Sequence, residues 1–144
     1  MKQLPGLFLG AVLLVASFAH PATAATKAAQ WLMAEQAKEG CNGNPGRFAS
    51  GVIERDLNGD GRLDLILHHS GLVCEPGVIG SRSGFCGMQA CSALIYVRRG
   101  PLLKLETEIL AVTITVGDET PPVIRFTKHG GDSEAIRWDG ATFR

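Results

Sequence analysis

Residues Glu54–Gly71 read ERDLNGDGRLDLILHHSG. An acidic, glycine-kinked loop runs straight into an apolar segment, and each half constrains the fold. Leu63, Leu65 and Leu67 alternate against Ile66, so LDLILHHS is apolar on both faces. That is the pattern of a central strand covered on both sides. Upstream, RFASGVIER at 47–55 reads as a strand leading into the loop. The loop therefore joins two strands.

Within DLNGDGRLD, Asp56, Asn58 and Asp60 occupy the first, third and fifth positions and Asp64 the ninth. Calcium takes about six to eight oxygen ligands at flexible geometry. A chain turning tightly around an ion offers side-chain oxygens at alternate positions and a backbone carbonyl at the seventh, here Arg62. Gly61 at the sixth permits the sharp turn. Oxygen-only donors favour a hard dication over zinc or copper. The expectation is a structural calcium site built by Asp56, Asn58, Asp60, Arg62 and Asp64, with the modest affinity of extracellular modules. The competing reading is a polar turn, because NGDG suits a turn with or without an ion. A plain hairpin, however, has no use for Asp56 and Asp64.

This D-x-N-x-D-G-x-x-D stretch resembles the first nine positions of the EF-hand loop, and departs at the twelfth, where Leu67 replaces the bidentate glutamate. With strands on either side it is more similar to the calcium loops of FG-GAP repeats in β-propellers. One copy of the loop cannot make a propeller. Together with FCGMQAC at 85–91 and WDGATF at 138–143, the loop resembles a family of small exported bacterial proteins of unassigned function. That resemblance implies a common fold with calcium-type ligands at Asp56, Asn58, Asp60 and Asp64. It implies no reaction.

Residues 1–24 read as a signal peptide: Lys2, an apolar run over 7–19, then Ala22-Thr23-Ala24 before a mature start near Ala25. The run is too short for a membrane-spanning helix, which needs about 20 residues. Residues 25–144 then form a single domain, periplasmic or secreted, with no membrane attachment after cleavage. The full chain has a formal net charge of zero, and the leader carries only Lys2. No basic stripe is available to neutralise phosphates, so nucleic acid is not an expected partner.

Cys41, Cys74, Cys86 and Cys91 make an even set in an exported chain, which reads as two disulfides. Three pairings are possible; Cys41–Cys74 with Cys86–Cys91 is the preferred one. A zinc site lacks the short C-x2-C step.

TKAAQWLMAEQAKEG at 26–40 reads as the one helix, capped by Thr26 and stopped by a left-handed Gly40, with Ala29, Leu32, Met33 and Ala37 on its apolar stripe. Gly71–Gly87 reads as a long irregular loop tied by cysteines. SALIYVRR is the next strand. In LLKLETEILAVTITV the apolar register moves from odd to even positions, which requires a bulge or turn near Ile109-Leu110. PVIRFTKH and EAIRWDGATFR complete the set, with Asp139-Gly140 as a two-residue hairpin signal. The expected class is α+β: one N-terminal helix on an antiparallel sheet of about six strands, stabilised by disulfides.

Among other candidates, His68 and His69 point to opposite faces and cannot readily share a ligand. Ser81 and Ser83 lack a nucleophile elbow. Glu106 and Glu108 read as a solvated face beside Lys104, and Trp31, Tyr96, Phe126 and Trp138 as core. No catalytic residue emerges. The favoured function is a non-enzymatic calcium-binding module of the bacterial envelope that binds a protein, peptide or glycan, one version being an inhibitor or immunity protein that inserts its Gly71–Gly87 loop into a cleft. The alternative is a small metal-assisted periplasmic hydrolase.

Overall fold

A computed structural model describes residues 25–75 and 82–144. The signal-peptide assignment lies outside these residues, as does part of the Gly71–Gly87 loop. One helix, α1 (Lys27–Gly40), packs on a β structure that is more divided than the sequence suggests. Among the described residues, nine strands form three antiparallel sheets rather than one sheet of six. The central sheet runs β2 (Val52–Arg55), β3 (Asp64–His68), β5 (Cys91–Arg99), β6 (Leu102–Ala111). A small pair joins β1 (Gly46–Phe48) to β4 (Leu72–Cys74), and a third sheet runs β7 (Thr113–Val116), β8 (Val123–Thr127), β9 (Ser133–Arg137).

The two-faced apolar pattern of β3 is explained by what covers it. Leu65 and Leu67 face α1, joining Ala29, Leu94 and Tyr96. Ile66 faces the third sheet, joining Leu57, Ile95 and Ile124. Every residue of β3 is buried. Helix, central sheet and third sheet thus stack in layers with β3 in the middle.

Thr26 caps α1 as expected, its hydroxyl accepting from the Ala29 N–H at 3.3 Å. It also ties the helix to β2: the Thr26 backbone N–H and hydroxyl donate to the two Glu54 carboxylate oxygens at 2.9 and 2.8 Å. The helix end differs from expectation. The left-handed residues are Asn42 (φ 53°) and Gly43 (φ 82°), not Gly40. Gly40 is needed for close approach instead, since a Cβ there would lie 2.6 Å from Leu72 Cδ2 and 2.7 Å from Ser83 Oγ. Disulfides join Cys41 to Cys74 and Cys86 to Cys91. The first fastens the end of α1 to β4.

RFASGVIER is not one strand. Gly51 takes φ 76° and the chain passes from the small sheet to the central one. The β6 register change is real but is made differently. The pairing of β5 with β6 slips at Ile95/Tyr96, leaving Glu106 as the extra residue of a bulge. Leu105 opposite Tyr96 and Glu108 opposite Leu94 thereby share the helix-side face, while Ile109 turns to the other core. The chain then leaves the sheet at Val112, between β6 and β7. Asp139-Gly140 is likewise not a two-residue turn. Trp138 pairs with Phe143, and Asp139 Oδ1 accepts from the Ala141 and Thr142 N–H groups within the longer turn.

Candidate functional sites

The acidic loop leaves β2 at Arg55 and enters β3 at Asp64, and it is held from both ends. Leu57 is fully enclosed in the core between the central and third sheets. Asp64 is 0% exposed; its Oδ2 accepts from the Leu57 N–H at 2.8 Å and its Oδ1 from the Arg98 N–H at 2.7 Å. Burial raises the Asp64 pKa above the ordinary carboxylate value, despite these two bonds.

Between those anchors the side chains cap the loop's own backbone. Asp56 Oδ1 accepts from the N–H groups of Asn58, Gly59 and Asp60, and its Oδ2 from Gly61 at 2.8 Å. Asn58 Oδ1 accepts from the Asp60 N–H at 3.0 Å. Asp60 Oδ1 accepts from the Arg62 N–H at 2.9 Å, while its Oδ2 meets the Arg62 guanidinium at 3.0 Å. Burial alone would raise the Asp60 pKa, but the Arg62 backbone and side chain hold it below the usual range. Gly59 and Gly61 both take φ 81°, which a chain wrapping back on itself requires.

Every side-chain oxygen of Asp56, Asn58, Asp60 and Asp64 thus already accepts a hydrogen bond. Among the described residues, no three or more His, Cys, Asp or Glu side chains converge closely enough to hold an ion. The donor chemistry is right for calcium: all oxygen, with three carboxylates. The arrangement is that of a self-capped turn in which Arg62 supplies the positive charge. Carboxylate oxygens with one donor keep a second lone pair, so these residues fit an ion only after Asp60 gives up Arg62.

His68 and His69 serve opposite sides, as strand geometry requires. His68 Nε2 lies 3.0 Å from the Ala111 carbonyl and Nδ1 2.9 Å from Ser70 Oγ. His69 opens a single 3₁₀ turn (His69–Gly71), fully enclosed. Its Nδ1 meets Ser83 Oγ at 2.8 Å and its Nε2 meets Gln36 Oε1 at 3.1 Å. Gln36 Nε2 donates to Glu39 Oε2, which orients the amide, and the Phe85 N–H donates to Ser83 Oγ. These bonds define one tautomer: His69 donates from Nε2 to Gln36 and accepts at Nδ1 from the Ser83 hydroxyl. Burial lowers the pKa of both histidines, with Glu108 and Glu39 opposing this at His69 and the Ala111 carbonyl at His68.

Ser83 and His69 stand at nucleophile–base distance, yet Ser83 is 3% exposed and the imidazole's other nitrogen faces an amide. A serine nucleophile needs an accessible oxygen and a base whose positive form is stabilised by a third group. Neither condition is met, and the pair acts as a strut joining α1, the 3₁₀ turn and the disulfide segment.

Two concavities flank α1. Near its start, Lys27, Ala28, Trp31 and Leu32 face Pro101, Leu102 and Leu103 across an apolar groove of about 320 Å³. Trp31 is 63% exposed and Leu102 64%. Trp31 is therefore not core, whereas Tyr96, Phe126 and Trp138 are. Its position on the helix carried no signal, because a tryptophan within an alanine-rich stripe reads as buried. Near the helix end, a second cavity of about 170 Å³ is lined by Gln36, Glu39, His69, Tyr96 and Glu108 among others. The two glutamates of β6 part company: Glu106, at the bulge, pairs with Arg99 at 3.6 Å, and only Glu108 reaches this cavity. Neither concavity includes a residue of the acidic loop.

No family model, curated protein or solved structure matches the chain.

Proposed function

We propose that the chain is a non-enzymatic module of the periplasm or extracellular space that binds a protein, peptide or glycan partner through the Trp31–Leu102 groove. The observation that carries this reading is the paired exposure of Trp31 and Leu102 across an apolar groove. Large exposed apolar side chains grouped around a groove mark interaction surfaces, and tryptophan is over-represented among residues that dominate binding energy. Lys27 also lines the groove and brings a basic side chain to its wall. Two disulfides and the absence, among the described residues, of a helix able to cross a membrane agree with an exported protein.

Calcium enters the proposal as a stabiliser of the acidic loop. Its support is the oxygen-only donor set of Asp56, Asn58, Asp60, the Arg62 carbonyl and Asp64, and the likeness of D-x-N-x-D-G-x-x-D to EF-hand and FG-GAP loops. The ion binds the folded loop only, so it raises the melting temperature at millimolar concentration.

The test is an affinity capture from envelope extract, with and without chelator, using the mature chain and a Trp31→Ala/Leu102→Ser variant. A partner retained by the native groove and lost in the variant is expected. Equal recovery by both chains would remove the groove from the proposal. Separately, a melting temperature unmoved by calcium would leave the loop as a polar turn.

A further inference from the structure

We propose that the Cys86–Cys91 disulfide is a thiol-exchange site, opened at Cys86 by a dithiol co-reactant while Arg82 stabilises the departing Cys91 sulfur. The site shares no residue with the acidic loop or the Trp31–Leu102 groove, so it stands or falls independently of the proposed function.

The two disulfides are differently placed. Cys41 and Cys74 are both buried, 3% and 5% exposed, and their bond fastens α1 to β4 across 33 residues. Cys86 and Cys91 lie only 5 residues apart and close a loop whose Met88 is 94% exposed. Cys91, on β5, is 2% exposed, whereas Cys86 is half-buried between the exposed Phe85 and Gly87. Exchange depends on which sulfur an incoming thiolate can reach, and the other sulfur leaves. Cys86 is therefore the attacked sulfur and Cys91 the leaving one.

A cation stands at the leaving sulfur. Arg82 Nη2 lies 3.8 Å from Cys91 Sγ, and Arg82 Nη1 donates to the Met88 carbonyl at 3.5 Å. A β-bridge to Val73 fixes the Arg82 backbone. Among the described residues no carboxylate pairs with this guanidinium, so no anion competes for it. A neighbouring cation favours the thiolate form, and a more stable thiolate leaves faster. His68, whose Nε2 meets the carbonyl of Ala111 opposite Cys91 in the ladder, adds no charge there, because burial favours its neutral imidazole.

The loop ends stay in place when the bond opens. The Ser92 N–H donates to the Phe85 carbonyl at 2.9 Å, the Gly87 N–H to the Ala90 carbonyl at 2.8 Å, and Ser83 remains bonded to His69. The Cys91 thiolate thus remains beside Cys86 and expels a monothiol by attacking back. A second thiol on the reductant outruns that reversal. In the first step a thiolate of the dithiol bonds to Cys86 Sγ, the Cys86–Cys91 bond breaks, and its electron pair leaves on Cys91. The second thiol then loses its proton to solvent and attacks the co-reactant's own first sulfur. Cys86 departs as a thiolate, and the co-reactant becomes an internal disulfide. Two electrons pass from the dithiol to the protein.

The test treats the folded, oxidised mature chain with dithiothreitol or, at equal thiol concentration, glutathione, and maps alkylated cysteines over time by peptide mass spectrometry. Dithiothreitol should open Cys86–Cys91 at least about tenfold faster than Cys41–Cys74, and glutathione should leave it largely closed. Arg82→Gln slows the opening about threefold to tenfold, and Arg82→Lys restores part of the rate. A readout of charge alone comes from Cys86→Ser, in which the ultraviolet absorbance of the Cys91 thiolate should titrate below the ordinary thiol value of about 8.5 and move up when Arg82→Gln is added. Oxidised glutathione should modify Cys86 in Cys91→Ser and spare Cys91 in Cys86→Ser. Opening of both disulfides at one rate, equal reduction by glutathione, an Arg82→Gln variant unchanged in rate and titration, or ready modification of Cys91 would each overturn the proposal.

Discussion

Asp64→Ala removes both acceptors from the bracket that ties the acidic loop to the central sheet. Its two bonds reach the Leu57 N–H at 2.8 Å and the Arg98 N–H at 2.7 Å. Leu57 is fully enclosed, so its orphaned donor costs about 1–3 kcal/mol, while the Arg98 donor, nearer solvent, costs about 1 kcal/mol. Eliminating a carboxylate that burial disfavours returns part of this. The net loss is about 2–3 kcal/mol, or a fall in Tm of about 6–15 °C for a domain of this size. Asp64→Asn keeps one acceptor and lies between the two. Urea unfolding followed by tryptophan fluorescence, in EDTA and in millimolar calcium, measures the loss. The expected result is the same loss in both solutions, read as a shifted midpoint at constant m. A loss under about 1 kcal/mol in EDTA, or one that appears only with calcium, would refute the assignment of Asp64 as a backbone bracket and make it an ion ligand.

Arg62→Ala removes the cation that occupies Asp60; because the pair is exposed, calcium affinity measured by titration calorimetry rises only about twofold to fivefold. Opening Cys41–Cys74, separated by 33 residues, costs ~3.7 kcal/mol on loop entropy, against ~2 kcal/mol for Cys86–Cys91, separated by 5, so paired Cys→Ala variants should rank in that order in denaturant. His68 and His69 have folded pKa values below the ordinary 6.5, so the unfolded chain binds more protons beneath that pH. Their contribution to stability is present above pH 6.5 and is lost as the pH falls through the lowered folded values; a His68→Asn/His69→Gln variant should show a shallower decline in Tm between neutral pH and pH 5. The Tyr96 phenol is pushed up to about 12 by burial and by Glu39 and Glu108, so its contribution is present below the ordinary phenol value of 10.0 and is lost as the pH rises through 12; Tyr96→Phe should flatten the alkaline limb of the same melting series.

What could be read from residue order was local or two-sided. The apolar run implied a strand covered on both faces, and α1 and the third sheet cover Leu65, Ile66 and Leu67, whereas Leu63 lies before β3 and is exposed. Thr26 announced its own cap. The division into three sheets could not be read, because it depends on where the chain turns between layers. Gly51 sends RFASGVIER into two sheets, and nothing in that apolar pattern distinguishes one long strand from two short ones. The bulge at Glu106 showed itself only as a change of parity, visible a few residues downstream where the apolar side chains resume. At the sites, spacing placed the acidic side chains together, but their use by backbone amides depends on loop conformation. The Glu39–Tyr96–Glu108 cavity joins residues far apart in sequence, with no motif to link them. Trp31 and Tyr96 carried the same aromatic signal and reached opposite environments, since exposure is decided by what lies across from a residue.

The enclosure of Leu57 sets rules for how this protein can vary in length. With Leu57 in the core and Asp64 bracketed inside, the span between them has two fixed ends, whereas Gly59, Asp60, Gly61 and Arg62 stand in solvent. Extra residues spliced between Gly59 and Arg62 lengthen an outward bight and leave both anchorages seated. A single residue inserted between Asp56 and Leu57 rotates the leucine out of its socket and separates the central sheet from its neighbour. A library of one-residue insertions across 55–64, sorted for folded protein, should therefore show a narrow permissive window at the tip between two intolerant shoulders.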